Sequence, residues 1–323
     1  FEGYCTDVWF REAERFILAH REAPFFAMVA TNAPHWPYRV DRRYSDPHRG
    51  LPEVLSPEFY GMIESIDENF GHLRDMLRAQ RLEDRTILLF LTDNGSSGGA
   101  ATDANEFAVQ GYNAGLRGIK GSHYEGGHRA PCFLRWPEGG LAGGREIGEM
   151  ALDVDLMPTL ADLCGLSLPS GPRLDGTSLA SLLRGETDRL PGDRVHFIQI
   201  RQDTRPPEPG HYVALAGRYR LVRGAELYDV AADPGQRRDC AAEHPEVVLS
   251  LRQAHEAFWQ EVAPSLDAYC PIVLGHPAEN PARLDACDVM GDGAWDQSLI
   301  VEAQKTTGRW AVEVASPGMY RFA

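Results

Sequence analysis

The sequence lacks several features that would assign it to a common class of protein. Its 323 residues contain no apolar run near the roughly 20 residues that cross a bilayer, so no membrane span is predicted. The six cysteines lie far apart with no C-x-x-C pair, and they indicate neither a zinc cluster nor a dense disulfide framework. A formal net charge of −15 argues against general binding to nucleic acid or to an acidic membrane surface.

Lysine is also scarce, since Lys120 and Lys305 are the only two in a chain that is rich in arginine. A lysine in such a sequence indicates that a compact ammonium group matters at that position. Five glycines between residues 115 and 127 surround Lys120, and glycine lets the backbone adopt positive φ and pass close to a ligand. The segment is not a Walker phosphate loop, because Lys120 follows Ile119 and precedes Gly121.

A continuous apolar run at residues 86–91 predicts a strand that is buried on both faces of a parallel sheet. The run ends at T-D-N-G, and ligands of open α/β sheets bind beyond the carboxyl ends of the strands. Asp93 and Asn94 therefore stand at the mouth of such a site, where their oxygens suit a hard cation such as Ca²⁺ or Mg²⁺. The alternative is a cap in which both side chains hydrogen-bond only their own turn.

A second apolar run, at residues 25–30, predicts another buried strand, and the loop after it holds His35 between two prolines. Prolines restrict the backbone, and loops that hold a side chain rigidly are common at active sites. The alternative is a turn histidine that caps a backbone group.

The remaining pattern predicts helices followed by an antiparallel sheet. Helical spacing of apolar residues predicts helices at residues 6–20, 57–80, 153–164 and 244–263. Short alternating segments after Pro191 predict antiparallel strands. The predicted fold is an α/β domain over residues 1–190, with a mostly parallel central sheet flanked by helices, a smaller α+β antiparallel-sheet subdomain over 191–265 and a β-rich extension over 266–323.

Two polar groups are interpreted as structural. Asp153 and Asp155 stand at a helix start, where carboxylates stabilise the helix dipole, so we favour that role over metal binding. The arginine-rich stretch at residues 39–57 could contact an anionic substrate, but such charge runs are usually solvated.

Six motifs identify a family. They are A-P-H-W-P at 33–37, T-D-N-G at 92–95, R-G-I-K-G-S-H-Y-E-G-G-H-R-A-P at 117–131, D-L-M-P-T-L-A-D-L-C-G at 155–165, L-D-G-T-S-L at 174–179 and E-L-Y-D-V-A-A-D-P at 226–234. The motifs occur in this order and cover most of the chain. They resemble those of the sulfatase family, which belongs to the alkaline-phosphatase-like superfamily, and in particular those of its arylsulfatase-like members.

The resemblance implies hydrolysis of sulfate monoesters. It implies that Asp93 and Asn94 are two ligands of Ca²⁺, with Mg²⁺ as the other possible ion. It implies that Lys120 binds a sulfate oxygen and stabilises the leaving group, and that His35 contacts the sulfate and can protonate the leaving oxygen. Arg117 and His123 could line the same pocket, but the resemblance assigns them no role.

The family nucleophile is a formylglycine made from Cys or Ser within C/S-x-P/A-x-R, and no cysteine of this chain fits that pattern. Ser45 fits in S-D-P-H-R, but it follows the A-P-H-W-P loop, whereas the family places its nucleophile before that loop. We therefore expect the chain to be an excerpt that lacks an N-terminal third with the nucleophile and two metal ligands, and to be inactive alone.

Several alternatives stay open at this stage. A phosphomonoester, phosphodiester or phosphonate hydrolase of the same superfamily is one, and a non-catalytic anion-binding protein is another. The expected partner is a small-molecule or carbohydrate sulfate ester, and the family implies a periplasmic or secreted location. The sequence does not specify which sulfate ester is bound, or the oligomeric state.

Overall fold

The computed structural model describes residues 2–168, 170–171, 173–200, 210–266, 268, 270–285, 288–291, 297–303 and 305–322. The chain forms two compact units: Phe1–Ile198 with Tyr212–Val248, and Gln199–His211 with Leu249–Ala323. These units do not coincide with the three predicted segments, whose status as domains stays a prediction.

Eight α-helices are present among the described residues. In chain order they are Cys5–His20 (α1), Arg42–Ser45 (α2), Pro57–Ala79 (α3), Glu125–His128 (α4), Leu156–Leu163 (α5), Ala180–Arg184 (α6), Pro245–Val262 (α7) and Gln297–Val301 (α8). The four longest lie within one to three residues of the predicted bounds.

Twelve β-strands are described. They are Leu88–Leu91 (β1), Ala100–Thr102 (β2), Ala108–Gly111 (β3), Cys132–Arg135 (β4), Val195–Gln199 (β5), Tyr212–Ala216 (β6), Tyr219–Val222 (β7), Glu226–Asp229 (β8), Ile272–Leu274 (β9), Met290–Gly291 (β10), Gly308–Arg309 (β11) and Val312–Val314 (β12).

The α1–α3 helix pair forms the main helical core of the first unit. Helix α3 begins at a capped end, where the Ser56 hydroxyl accepts the N–H of Phe59 at 3.2 Å and Pro57 occupies the first turn. The apolar stripes of both helices and the following turn then meet in one cluster, Phe10, Ile17, Leu73, Leu77 and Leu82. Burial of one such side chain contributes about 1.5–3 kcal/mol, so this cluster is a large source of stability.

The predicted parallel pairing of the central strands is not seen among the described residues. Strand β1 pairs with β4 in antiparallel register, with Leu88 opposite Arg135. The predicted strand at 25–30 is wrong, because no strand is assigned there. Its Phe25 side chain packs on the helical core, but Phe26 is 75% exposed. The apolar run indicated burial on two faces, whereas the structure covers only one.

The predicted antiparallel sheet is confirmed. Strands β5, β6, β7 and β8 are neighbours in chain order, with β6–β7 and β7–β8 antiparallel. The second hairpin turns at Arg223 and Gly224, both with positive φ, which is the left-handed geometry of tight hairpin turns. Tyr124, from the glycine-rich segment, is 3% exposed and packs into the core of this sheet with Val213 and Val222.

The second unit contains short strands, as predicted. Strands β9 and β12 pair in parallel, and β10 pairs with β11 in antiparallel register. Cys287 lies outside the described residues. The five cysteines that the structure describes are free thiols.

Candidate active site

The loop after β1 presents the two predicted metal-binding side chains. Asp93 is exposed and Asn94 is half-buried. Thr92 Oγ1 donates to the carbonyl of Asn94 at 3.1 Å, so the turn is held by threonine. Within the described ranges, neither the Asp93 nor the Asn94 side chain forms a hydrogen bond. The oxygens of both side chains are therefore available to a ligand.

Backbone hydrogen bonds join this loop to the glycine-rich segment. The Gly95 N–H donates to the carbonyl of Gly127 at 3.0 Å, and the Lys120 N–H donates to the carbonyl of Ser96 at 2.9 Å. Lys120 is half-buried. In the part of the chain that the structure describes, no carboxylate pairs with its ammonium group. The structure thus brings Lys120 to the loop that carries Asp93.

The glycines of this region serve close packing as well as backbone freedom. A Cβ atom at Gly95 would lie 1.8 Å from the carbonyl oxygen of Gly126, and one at Gly126 would lie 2.0 Å from that of Gly118. Gly118 and Gly121 do have the predicted positive φ, at 82° and 87°. Gly95 and Gly126 do not, so these two are required because three backbone segments touch.

Arg117 makes structural contacts with its neighbours. Its guanidinium lies 3.7 Å from the centroid of the Tyr124 ring. The same group donates to the Asn105 carbonyl at 2.8 Å and to the Tyr228 hydroxyl at 2.9 Å. These bonds and the cation–π contact fix the glycine-rich segment to strand β8. His123 is buried, at 7% exposure.

The His35 loop abuts the same region. The Tyr38 hydroxyl donates to Ser97 Oγ at 3.5 Å, and a Cβ atom at Gly98 would lie 2.6 Å from the Tyr38 oxygen. His35 is exposed, and its Nδ1 is 2.7 Å from the carbonyl of Trp36. Because a carbonyl only accepts, Nδ1 carries a proton in this bond and Nε2 stays available to a ligand. The turn-histidine alternative therefore describes one ring nitrogen only.

Ser45 does not have the surroundings of a nucleophile. It is 1% exposed, at the end of α2 where that helix packs on α3, and its hydroxyl accepts from Arg49 at 3.4 Å. A Cβ atom at Gly61 would lie 2.9 Å from the backbone nitrogen of Ser45, so α3 covers it closely.

The charged stretch around Ser45 is paired with helix α3. Arg49 lies 2.6 Å from Glu58, and His48 Nε2 lies 3.0 Å from Glu64. The arginine forms an ion pair and the histidine a hydrogen bond at the surface, in keeping with the solvated-face interpretation.

Sequence reasoning missed a buried ion pair beneath the glycine-rich segment. Glu125 is 2% exposed, and Arg220 Nε donates to it at 2.7 Å. Burial raises the pKa of Glu125, but the hydrogen bond from His128 and the charge of Arg220 outweigh that effect and lower the pKa to about 2. The E-G-G motif marks Glu125 in the sequence, whereas nothing local marks Arg220 as its partner.

Asp155 joins two of the sequence motifs. Its carboxylate accepts the N–H groups of Leu152 and Thr177 at 2.9 and 2.8 Å, and Arg194 pairs with it at 2.6 Å. Asp155 is fully buried. Beyond the predicted helix-start role, it therefore holds the D-L-M-P-T segment against the D-G-T-S segment.

The donor set fits part of a hard-cation site. Asp93 and Asn94 supply oxygen donors, but Ca²⁺ takes roughly six to eight oxygens. Among the described residues, no group of three or more His, Cys, Asp or Glu side chains clusters as metal ligands. The same residues include no helix that is both long and apolar enough to cross a membrane.

Comparison with known proteins places these features in a family. The profile of the Sulfatase family matches residues 1–166, just over half of the chain. A second profile, N-sulphoglucosamine sulphohydrolase, C-terminal, matches residues 120–259.

Two curated relatives carry the name sulfatase, and one solved structure shares the fold. N-acetylgalactosamine-6-O-sulfatase of Bacteroides thetaiotaomicron is 28% identical over 78% of this chain and 50% of its own length. Steryl-sulfatase of Mus musculus is 30% identical over 80% of this chain and 45% of its own length. The crystal structure of Ps i-CgsB in complex with k-i-k-neocarrahexaose has a TM-score of 0.68, with 23% identity, over 82% of this chain and 57% of that chain.

The chain thus spans about half the length of the curated relatives that it matches. Its fold is similar to that of solved structures that include Ps i-CgsB and yidJ from Bacteroides fragilis. The family resemblance predicted from the motifs is confirmed: the chain belongs to the sulfatase family.

Proposed function

We propose that the protein hydrolyses sulfate monoesters of aryl or carbohydrate alcohols, and that this chain supplies Lys120, His35, Asp93 and Asn94 to the active site. The observation that carries the proposal is the pair of backbone bonds, Lys120 to Ser96 and Gly95 to Gly127, which unites the lysine with the carboxyl end of β1. The names of the relatives, a carbohydrate sulfatase and a steryl-sulfatase, support this substrate class.

Lys120 and His35 have the chemistry that sulfate transfer requires. Displacement at sulfur develops negative charge on the leaving oxygen, so positioned cationic groups lower the barrier. The half-buried Lys120 ammonium, without a carboxylate partner in the described ranges, can bind a sulfate oxygen. His35 Nε2, when protonated, can donate its proton to the leaving oxygen.

Asp93 and Asn94 would hold Ca²⁺, with Mg²⁺ as the alternative, and the bound ion would polarise the sulfate oxygens. Since two donors form an incomplete shell, further ligands are part of the proposal. A formylglycine nucleophile is also proposed. Because Ser45 is buried, we propose that the nucleophile lies in a part of the native protein outside these 323 residues. This chain alone would then be inactive.

Two alternatives are retained for the test. One is a phosphate-ester or phosphonate hydrolase of the same superfamily, and the other is a non-catalytic anion-binding protein. A periplasmic or secreted location and a sulfated small molecule or carbohydrate as partner are likewise proposals that rest on the family.

The test compares substrates and lysines in the native full-length protein. We expect turnover of 4-nitrophenyl sulfate to exceed that of 4-nitrophenyl phosphate and of an aryl phosphonate ester. Lys120→Ala should lower kcat for the sulfate by about 10²–10³-fold, since loss of one charge-stabilising donor has that effect. Lys305→Ala is the matched control, because Lys305 is the other lysine and is exposed, and it should stay within about twofold of wild type.

Preference for the phosphorus esters would support the first alternative. Absence of turnover with retained binding of inorganic sulfate would support the second. Full activity of the Lys120→Ala protein would remove Lys120 from the mechanism.

A further inference from the structure

The glycine-rich segment is anchored on its buried side by one carboxylate. Arg220 Nε donates to Glu125 Oε1 at 2.7 Å, and His128 Nε2 lies 3.2 Å from the same oxygen. Arg129 lies 3.6 Å from the other oxygen. Glu125 is 2% exposed, so its charge depends on these three partners.

Arg220 is itself fixed to the antiparallel sheet. It lies on β7, an inner strand of the four-stranded sheet, and is 8% exposed. Its NH1 group donates to the carbonyls of Gly217 and Tyr219 at 2.8 and 3.0 Å. The guanidinium therefore has little freedom to follow Glu125 if the glycine-rich segment shifts.

The other side of the same segment carries the candidate site. The Glu125 N–H donates to Gln236 Oε1 at 2.7 Å, and Gln236 is fully buried. Two residues later, the Gly127 carbonyl accepts the Gly95 N–H at 3.0 Å, next to Asn94. A Cβ atom at Gly95 would lie 1.8 Å from the Gly126 oxygen, so a displacement of this turn is transmitted directly to the loop after β1.

We propose that Glu125 is a positioning residue: through Arg220 it fixes turn 125–127 on the sheet, and that turn fixes Asp93 and Asn94 relative to Lys120. This inference rests on the proposed function, because it states how that site keeps its shape. A misplacement of about 1 Å at a distance from the chemistry can lower a rate by about 10²-fold, so a loosened turn should affect turnover.

A second buried ion pair supplies the control. Asp155 and Arg194 lie 2.6 Å apart and are as buried as Glu125 and Arg220. The Asp155 carboxylate accepts hydrogen bonds from Leu152 and from Thr177, neither of which is a residue of the candidate site. Loss of this pair therefore measures how general destabilisation affects Gly95 exchange and turnover.

The experiment uses two double variants of the native full-length protein, Glu125→Gln with Arg220→Met and Asp155→Asn with Arg194→Met. Removing both partners avoids an isolated buried charge, so these variants are more tolerable than single ones. Hydrogen exchange of the Gly95 amide reports on the loop directly, and kcat and KM for 4-nitrophenyl sulfate report on the site.

We expect the Glu125/Arg220 variant to exchange the Gly95 amide at least about tenfold faster and to lose at least about tenfold in kcat, with KM within about twofold. The Asp155/Arg194 variant should lower Tm while leaving Gly95 exchange and kcat within about twofold of wild type. Unchanged exchange at Gly95 in the first variant, or an equal change in both, would overturn the positioning role.

Two further results keep the test decisive. If the first double variant does not fold, Glu125→Asp keeps the charge but shortens its reach, and wild-type Gly95 exchange in that protein overturns the proposal. If the wild-type protein hydrolyses no sulfate ester, the proposed function fails, and the exchange comparison alone then decides the role of Glu125.

Discussion

The candidate site and the α1–α3 helix pair are stabilised in different ways. The helix pair is held by apolar side chains such as Leu73 and Leu77, which are 6% and 1% exposed. The site is held by backbone contacts between glycines and by buried charges such as Glu125. A core of side chains loses stability in proportion to the side-chain volume that is removed. Backbones in direct contact instead leave no room for even one added carbon atom. The two regions should therefore respond differently to small changes.

The largest effect is expected at Gly95. Gly95→Ala places a Cβ atom 1.8 Å from the Gly126 oxygen, so we expect a loss of more than about 4 kcal/mol in the free energy of unfolding, or a displaced loop with no activity. Gly71→Ala is the matched control, because nothing lies within 4 Å of a Cβ atom there and the residue is inside α3. It should stabilise the protein by about 0.5–1 kcal/mol. Urea unfolding measures both, and a tolerated Gly95→Ala would contradict the close contact.

Removal of a core side chain should have the next largest effect. Leu77→Ala should lower the free energy of unfolding by about 3 kcal/mol, because Leu77 is 1% exposed and the helices cannot fully close the cavity. Ile63→Ala, on the same helix at 41% exposure, should cost about 0.5 kcal/mol. In the native protein below its Tm, kcat should be unchanged in both. A large loss of kcat in Leu77→Ala would show that the two regions are not independent.

The pH dependence of stability should distinguish the regions to a smaller extent. The pKa of Glu125 is about 2 in the folded state against an ordinary value of 4.5, so the folded state binds fewer protons. The contribution of ionised Glu125 to the free energy of unfolding is complete above the ordinary pKa and is lost as pH falls toward the folded-state pKa. Between about pH 5 and about pH 3 this loss amounts to about 2 kcal/mol.

Urea unfolding at the two pH values checks this prediction. The double variant Glu125→Gln with Arg220→Met should lack this component, while Leu77→Ala should keep it. An equal acid loss in wild type and the double variant would show that Glu125 does not titrate as described.

The smallest effect is expected at the surface pair beside Ser45. Arg49 and Glu58 lie 2.6 Å apart with side chains 50% and 34% exposed, where solvent screens the attraction. Arg49→Gln should shift Tm by no more than about 2 °C, and added salt should reduce the difference. A larger shift in a thermal melt would mean that this stretch supports more than a solvated face.

The same contrast explains what the sequence could predict. Local periodicity predicted helix α3 and the strands β6–β8. Short motifs selected Asp93, Asn94 and Lys120 as candidate site residues. The segment 25–30 was misjudged because an apolar run does not show how many of its faces are covered. Pairing of β1 with β4 is a non-local property, because the paired residues Leu91 and Cys132 are 41 positions apart in the sequence. Arg117 and Arg220 were not assigned because their partners, Tyr228 and Glu125, are distant in sequence.

The most direct test of the central claim is a crystal structure of the native full-length protein grown with calcium chloride and soaked in sodium sulfate. We predict a calcium ion bound by Asp93 and Asn94, and a sulfate oxygen within hydrogen-bonding distance of Lys120 Nζ beside it. A sulfate bound elsewhere, with Lys120 turned away from the loop after β1, would contradict the proposed active site.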